Sequence, residues 1–150
     1  MMRNFAGVNG PPHSGYHALR VQAANWPVTS STPEGPASLL RTSRDLYAQS
    51  YYAYPLIAVA VVWSVFGVEA GLRARFDADR KRPLKSLVRQ AEEEQLLPPT
   101  GWEDERLDAG RELRNRIIHT GDQPAIPPAM ARSLIVASHE LVAALFPAVQ

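Results

Sequence analysis

Cysteine is absent from this chain of 150 residues, and with it go thiolate nucleophiles, disulfide scaffolds and most structural zinc sites. A reducing cytoplasm fits such a composition. Excess charge of either sign is missing too. Sixteen Lys and Arg face 15 Asp and Glu for a net charge of +1. No global field therefore marks a nucleic-acid binder, and any such role must be local. Long apolar runs are scarce. The one that stands out, 55–68, stops at Glu69 and continues into Arg73 and Arg75. It falls short of the roughly 20 residues that cross a bilayer and predicts a buried core helix with no membrane partner. Residues 1–15 hold no apolar run of signal-peptide type, so a cytoplasmic location is expected.

Proline, by contrast, is plentiful and divides the chain. Residues 1–36 carry prolines at 11, 12, 27, 33 and 36 and show no helical period. They predict an irregular Pro/Gly-rich N-terminal arm with a short strand at 17–23, anchored on its own domain or on a second subunit by Phe5, Tyr16 and Trp26. From residue 37 to 150 the pattern is helical, and the length suits one domain with its own core. One helix is expected over 37–54, with Ser43 as a cap for a later start and Pro55 as its break. A second runs over 56–76, apolar on nearly all faces in its first half, as in the centre of a bundle.

A third helix opens at Pro83 and runs to about 96, with Leu84, Leu87, Val88 and Ala91 on one face. The break over 98–101 precedes a fourth, from Trp102 to a stop at Gly121, with Glu103, Asp104 and Glu105 complementing its N-terminal dipole. Its apolar face is Leu107, Leu113 and Ile117, extended by Ile118. The last helix spans 128–146. No strand alternation of any length competes, so the fold class is all-α, a bundle of four to five helices.

The fourth helix carries the chemistry. Arg114-Asn115-x-x-x-His119 sets a fixed cation, a side-chain amide and a titratable imidazole within about one and a half turns. A pattern this short arises by chance in on the order of one such chain in a hundred at ordinary residue frequencies, so its context must support it. Arginine stays charged and forks onto phosphate oxygens. Histidine, with an unperturbed pKa of about 6.5, can take a proton from a ribose 2′-OH or give one to a leaving 5′-oxygen. Asparagine can orient the imidazole or hold the phosphate. RNA's own 2′-OH would be the nucleophile, so neither a metal nor a cofactor is called for.

On a straight helix Asn115 and His119 lie about 40° apart, whereas Arg114 and His119 diverge by about 140°. Convergence of the last two needs the helix to end at His119, or a second copy across a two-fold axis. Arg111 and Arg116 either extend a basic stripe for RNA phosphates or pair with Asp108, Glu112 or a neighbouring helix. Glu69 either pairs with an arginine of the fourth helix beside the site or emerges into solvent. His139, in an apolar helix, reads as structural. His13 and His17 have no metal-site surroundings. Tyr47, Tyr51, Tyr52 and Tyr54 suit core or interface packing and could also stack on bases. Arg80-Lys81-Arg82 reads as a solvated loop.

Arg114-Asn115-Arg116-Ile117-Ile118-His119 resembles the mark of the HEPN-domain family, an Arg, a polar residue, three further residues and His. The run over 107–121 is similar to that family's fourth-helix segment, and Glu69-Ala70-Gly71-Leu72-Arg73 resembles its long neighbouring helix. Resemblance covers about 40–146 and is specific at the motif. It implies a HEPN-like bundle, and an endoribonuclease of toxin or antiviral-defence type that needs no metal and works as a homodimer with a composite site at the interface. Carried over by position, Arg114 and His119 are catalytic and Asn115 supports them. A toxin would imply an antitoxin or regulatory protein partner. Other members are non-catalytic RNA-binding or protein-interaction modules, and the resemblance implies that alternative as well.

Overall fold

The computed structural model describes residues 15–97, 104–122 and 125–149. Phe5, His13, the break over 98–101 and the helix start at Trp102 lie outside them, as do Glu103 and the side chains of Asp104, Glu105 and Leu107. Six helices occur among the described residues, and no strand. They are α1 (Tyr16–Ala24), α2 (Glu34–Gln49), α3 (Leu56–Phe76), α4 (Leu84–Glu93), α5 (Asp104–Thr120) and α6 (Pro128–Leu145). The all-α expectation holds.

α3 is the centre because it is apolar nearly all round. Ile57, Ala58, Ala60, Val61, Val62, Val65, Val68 and Leu72 are all buried. Its 21 residues are long and apolar enough to span a membrane, yet 61% of its most apolar window is buried inside the bundle, which is how a core helix earns that composition. One half of the core joins its N-terminal part to Trp26, Tyr47, Leu113, Ile126, Ala131 and Ile135. The other joins Val68 and Leu72 to Leu40, α4 and the end of α6. The face expected on α4 (Leu84, Leu87, Val88 and Ala91) is buried as a unit.

Gly67 lets α2 approach α3. A Cβ there would lie 2.7 Å from Leu40 Cδ2 and 3.0 Å from Leu40 Cγ, and Leu40 is fully buried. Alanine gains about 1 kcal/mol of helix propensity over glycine, but overpacking a filled core typically costs about 1–3 kcal/mol. The clash wins. Gly67→Ala is expected to lower stability by about 1 kcal/mol net in urea unfolding, whereas Gly35→Ala, which meets nothing within 4 Å, is expected to raise it slightly.

The N-terminal region departs from expectation. Residues 16–24 form a helix and not a strand or irregular arm. Ala18, Leu19, Arg20, Gln22, Ala23 and Ala24 are helix formers with no proline among them, and Gly15, at φ 107°, turns the chain in. Tyr47 Oη donates to Gln22 Oε1 at 2.8 Å, and Trp26 is buried 4.8 Å from the Tyr47 ring. These residues thus belong to the helical domain. α2 begins at Glu34 and not at 37, because Pro36 fits a first helical turn. It ends at Gln49, where Ser50 Oγ donates to the Tyr47 carbonyl at 2.5 Å and Pro55 lies ahead. Ser43 caps nothing. Fully buried in mid-helix, it donates to the Ala60 carbonyl at 2.7 Å.

A part-buried polar tie joins α2 to α6. Arg44 Nε donates to His139 Nε2 at 3.3 Å, and another Arg44 nitrogen donates to the Trp26 carbonyl. Nε2 is therefore the acceptor, and Nδ1–H donates to the Ile135 carbonyl at 2.8 Å. His139 is neutral, fully buried and 5.5 Å from the Trp26 ring. Its structural role, expected from the sequence, follows from these contacts. Burial above all, with Arg44 adding to it, pushes its pKa down to about 4, against opposing backbone bonds.

Candidate functional site

α5 is a polar helix held by a narrow apolar edge. Leu113 is buried and Ile117, one turn on, packs partly buried beside it. Gly110 sits so close to α3 that a Cβ would come within 2.6 Å of Val65 Cγ2. Ile118, expected to extend that edge, is instead 58% exposed. It lies about 100° around the helix from Ile117, beyond what an edge anchored at Leu113 and Ile117 can bury. α5 stops as expected at Gly121, which adopts φ +66° while its N–H reaches the Ile117 carbonyl at 3.1 Å.

This docking sorts the motif residues onto two sides. Arg114 turns toward α3. Its Nη1 donates to Glu69 Oε1 in an ion pair whose side chains are 28% and 20% exposed, and its guanidinium carbon sits 5.9 Å from the Phe66 ring centre. Its Nε is buried with no hydrogen-bond partner, an unsatisfied donor that carries a cost. Glu69 therefore pairs with an arginine of this helix, the first of the two alternatives above. Glu69→Gln removes the charge facing Arg114. Stability is expected to fall by about 1–2 kcal/mol, less than for a fully buried pair, as read by urea unfolding.

Asn115 and His119 face the other way. Both are exposed, and they share one open face of α5 with Asp108, Arg111, Glu112, Arg116 and Thr120. Arg111, Asn115 and His119 follow one another at four-residue steps, so a guanidinium, an amide and an imidazole stand in a row along that face. Two of its cations are matched locally. Arg111 Nη1 lies 3.6 Å from Asp108 Oδ1, and Arg116 pairs with Asp122 beyond the helix end. Thr120 Oγ1 ties that end down by donating to the Arg116 carbonyl at 2.5 Å and accepting from the Asp122 N–H at 3.2 Å.

Asn115, His119, Arg111 and Arg116 thus share one open face of α5, while Arg114 and Glu69 form a separate pair against α3. The helix ending at Thr120 does not bring Arg114 and His119 onto one side. Sequence reasoning missed Phe66, the ring beneath Arg114, although its place one turn before Glu69 on the same helix was a signal. It also missed Asp122, which two residues after Thr120 was in reach of Arg116. Among the described residues no group of three or more His, Cys, Asp or Glu is placed to hold a metal ion. Comparisons with protein-family models, with curated proteins and with solved structures find no match to this chain.

Proposed function

We propose that this chain is a HEPN-like endoribonuclease that needs no metal and completes its site only as a homodimer. The observation that carries the reading is the solvent-facing row of Arg111, Asn115 and His119 along one open face of α5. In this reading His119 removes the 2′-OH proton and the 2′-oxygen attacks phosphorus. The bond from phosphorus to the 5′-oxygen breaks as that oxygen takes the proton back from the His119 imidazolium, leaving a 2′,3′-cyclic phosphate and a 5′-hydroxyl. Asn115 orients the imidazole or the phosphate. Arg114 lies on the other side of α5, so the guanidinium that stabilises the developing charge beside His119 comes from Arg114 of the partner subunit. Ile118, exposed between the two sides, suits an interface.

A second reading, a non-catalytic RNA-binding or protein-interaction module, is favoured by one observation. Arg111, Arg114 and Arg116 each already face a carboxylate. The two readings part when purified protein is incubated with mixed RNAs in EDTA, beside an Arg114→Ala/His119→Ala double variant. Cleavage by the wild type alone, with cyclic-phosphate ends, is the expected result. Equal cleavage by both, or none by either, would overturn the nuclease reading, and a monomer in light scattering at micromolar concentration would overturn the dimer.

A further inference from the structure

α1 and α2 carry aromatic and cationic side chains that the open face of α5 does not use, of which Arg44 also ties α2 to His139 and to the Trp26 carbonyl. The helices run antiparallel, with Tyr16 beside Gln49 and Trp26 beside Arg44. At one end Tyr51 and Tyr52 are 46% and 62% exposed. Their rings meet edge-on at 5.1 Å, and Tyr52 lies 5.3 Å from Tyr16. Arg20 stands over the Tyr16 ring at 5.8 Å. Arg20 also lines an open pocket of about 210 Å³ with Arg41, Arg44, Asp45 and two alanines. Rings and guanidinium groups therefore form one continuous surface, joined at Arg20.

We propose that this surface, from Tyr51 and Tyr52 through Tyr16 and Arg20 to the Arg41 and Arg44 pocket, is a track for single-stranded RNA, with bases stacked on the tyrosines and phosphates held by the arginines. The choice of RNA rests on the ribonuclease reading above. The pairing of residue types is what an unstructured strand requires, since every base offers a π-face and every linkage a negative charge. Three cations line the pocket against one carboxylate. Arg41 is also engaged by Glu34, but that pair is exposed and competes weakly with a phosphate. Burial, and then Arg41 beside it, weaken the charged form of Arg44, with Asp45 opposing. A bound phosphate offsets both. The tyrosine end is also tied to the segment that follows α5, because Tyr54 Oη donates to the Ile126 carbonyl. The track thus opens at the end of the bundle where α5 stops.

The test measures binding in a His119→Ala background, so that RNA stays intact. A short fluorescein-labelled single-stranded RNA is titrated by anisotropy against this parent, against Tyr51→Ala/Tyr52→Ala and against Arg20→Ala/Arg41→Ala, with thermal melts to check that each variant folds. The tyrosine variant is expected to bind about tenfold more weakly. The arginine variant is expected to bind more weakly at low salt and to lower the slope of log affinity against log salt by about 1.4. These losses uphold the track whether or not the wild type cleaves RNA. Affinities within twofold of the parent for both folded variants, or no binding by the parent itself, would overturn it even if the wild type cuts RNA in EDTA.

Discussion

RNA cleavage by His119→Ala is expected to fall about 10²- to 10⁴-fold, the usual contribution of a positioned acid or base. The side chain is exposed at the end of α5 and packs into neither half of the core. Folding stability should therefore stay within about 0.5 kcal/mol of wild type, and loss of activity can be charged to chemistry. Arg114→Ala behaves differently. It removes the partner of Glu69 and a cation over Phe66, so its loss of activity should come with a measurable loss of stability. Gel analysis of a labelled RNA, together with urea unfolding of each variant, separates the two cases.

Acid is expected to destabilise the fold through His139. The unfolded chain takes up a proton on this residue as pH falls below its ordinary value of 6.5, whereas the folded chain resists until about 4. Stability is thus fully present above 6.5 and is lost as pH drops through that window, to a total of about 3 kcal/mol, of which about 2 are gone at pH 5. Protonation would also place a second donor against Arg44 Nε–H, whose hydrogen bond needs a lone pair on His139 Nε2. Gln at 139 can accept from Arg44 and donate to Ile135 without titrating. Urea unfolding of His139→Gln across this range should therefore lack most of the pH slope seen in wild type. An unchanged slope would assign acid sensitivity to other groups.

Most of the bundle was legible because apolar spacing and punctuation agree. Leu84, Leu87, Val88 and Ala91 announce α4, and the run after Pro55 announces the central helix. Gly121 marks the end of α5 because it takes a left-handed φ there. α1 was hidden by its neighbours. Its apolar periodicity is weak, and prolines and glycines on both sides drew it into a supposed arm, although Ala18 to Ala24 are helix formers. Ser43 looked like a cap because a hydroxyl near a helix start commonly is one; only the approach of α3 shows its partner to be the Ala60 carbonyl.

At the site, the divergence of Arg114 from His119 could be read from helical geometry alone. Which of them faces α3 could not, since that depends on Leu113 and Ile117 docking against the core and on the close pass at Gly110. The Glu69 partnership followed once that face was known. Of the aromatic and arginine surface of α1 and α2 only the tyrosine cluster after α2 was legible, because Tyr16 and Tyr52 are brought together only by the antiparallel packing of the two helices.

The central claim is that Arg114 of one protomer and His119 of the partner subunit complete one site, and subunit mixing tests it most directly. Arg114→Ala and His119→Ala proteins, each inactive alone, are unfolded together in equal amounts and refolded. Random pairing makes half the dimers mixed, and each mixed dimer holds one intact site of two, so about a quarter of wild-type cleavage should return. No recovery from a mixture that is folded and dimeric would contradict a site shared across the interface.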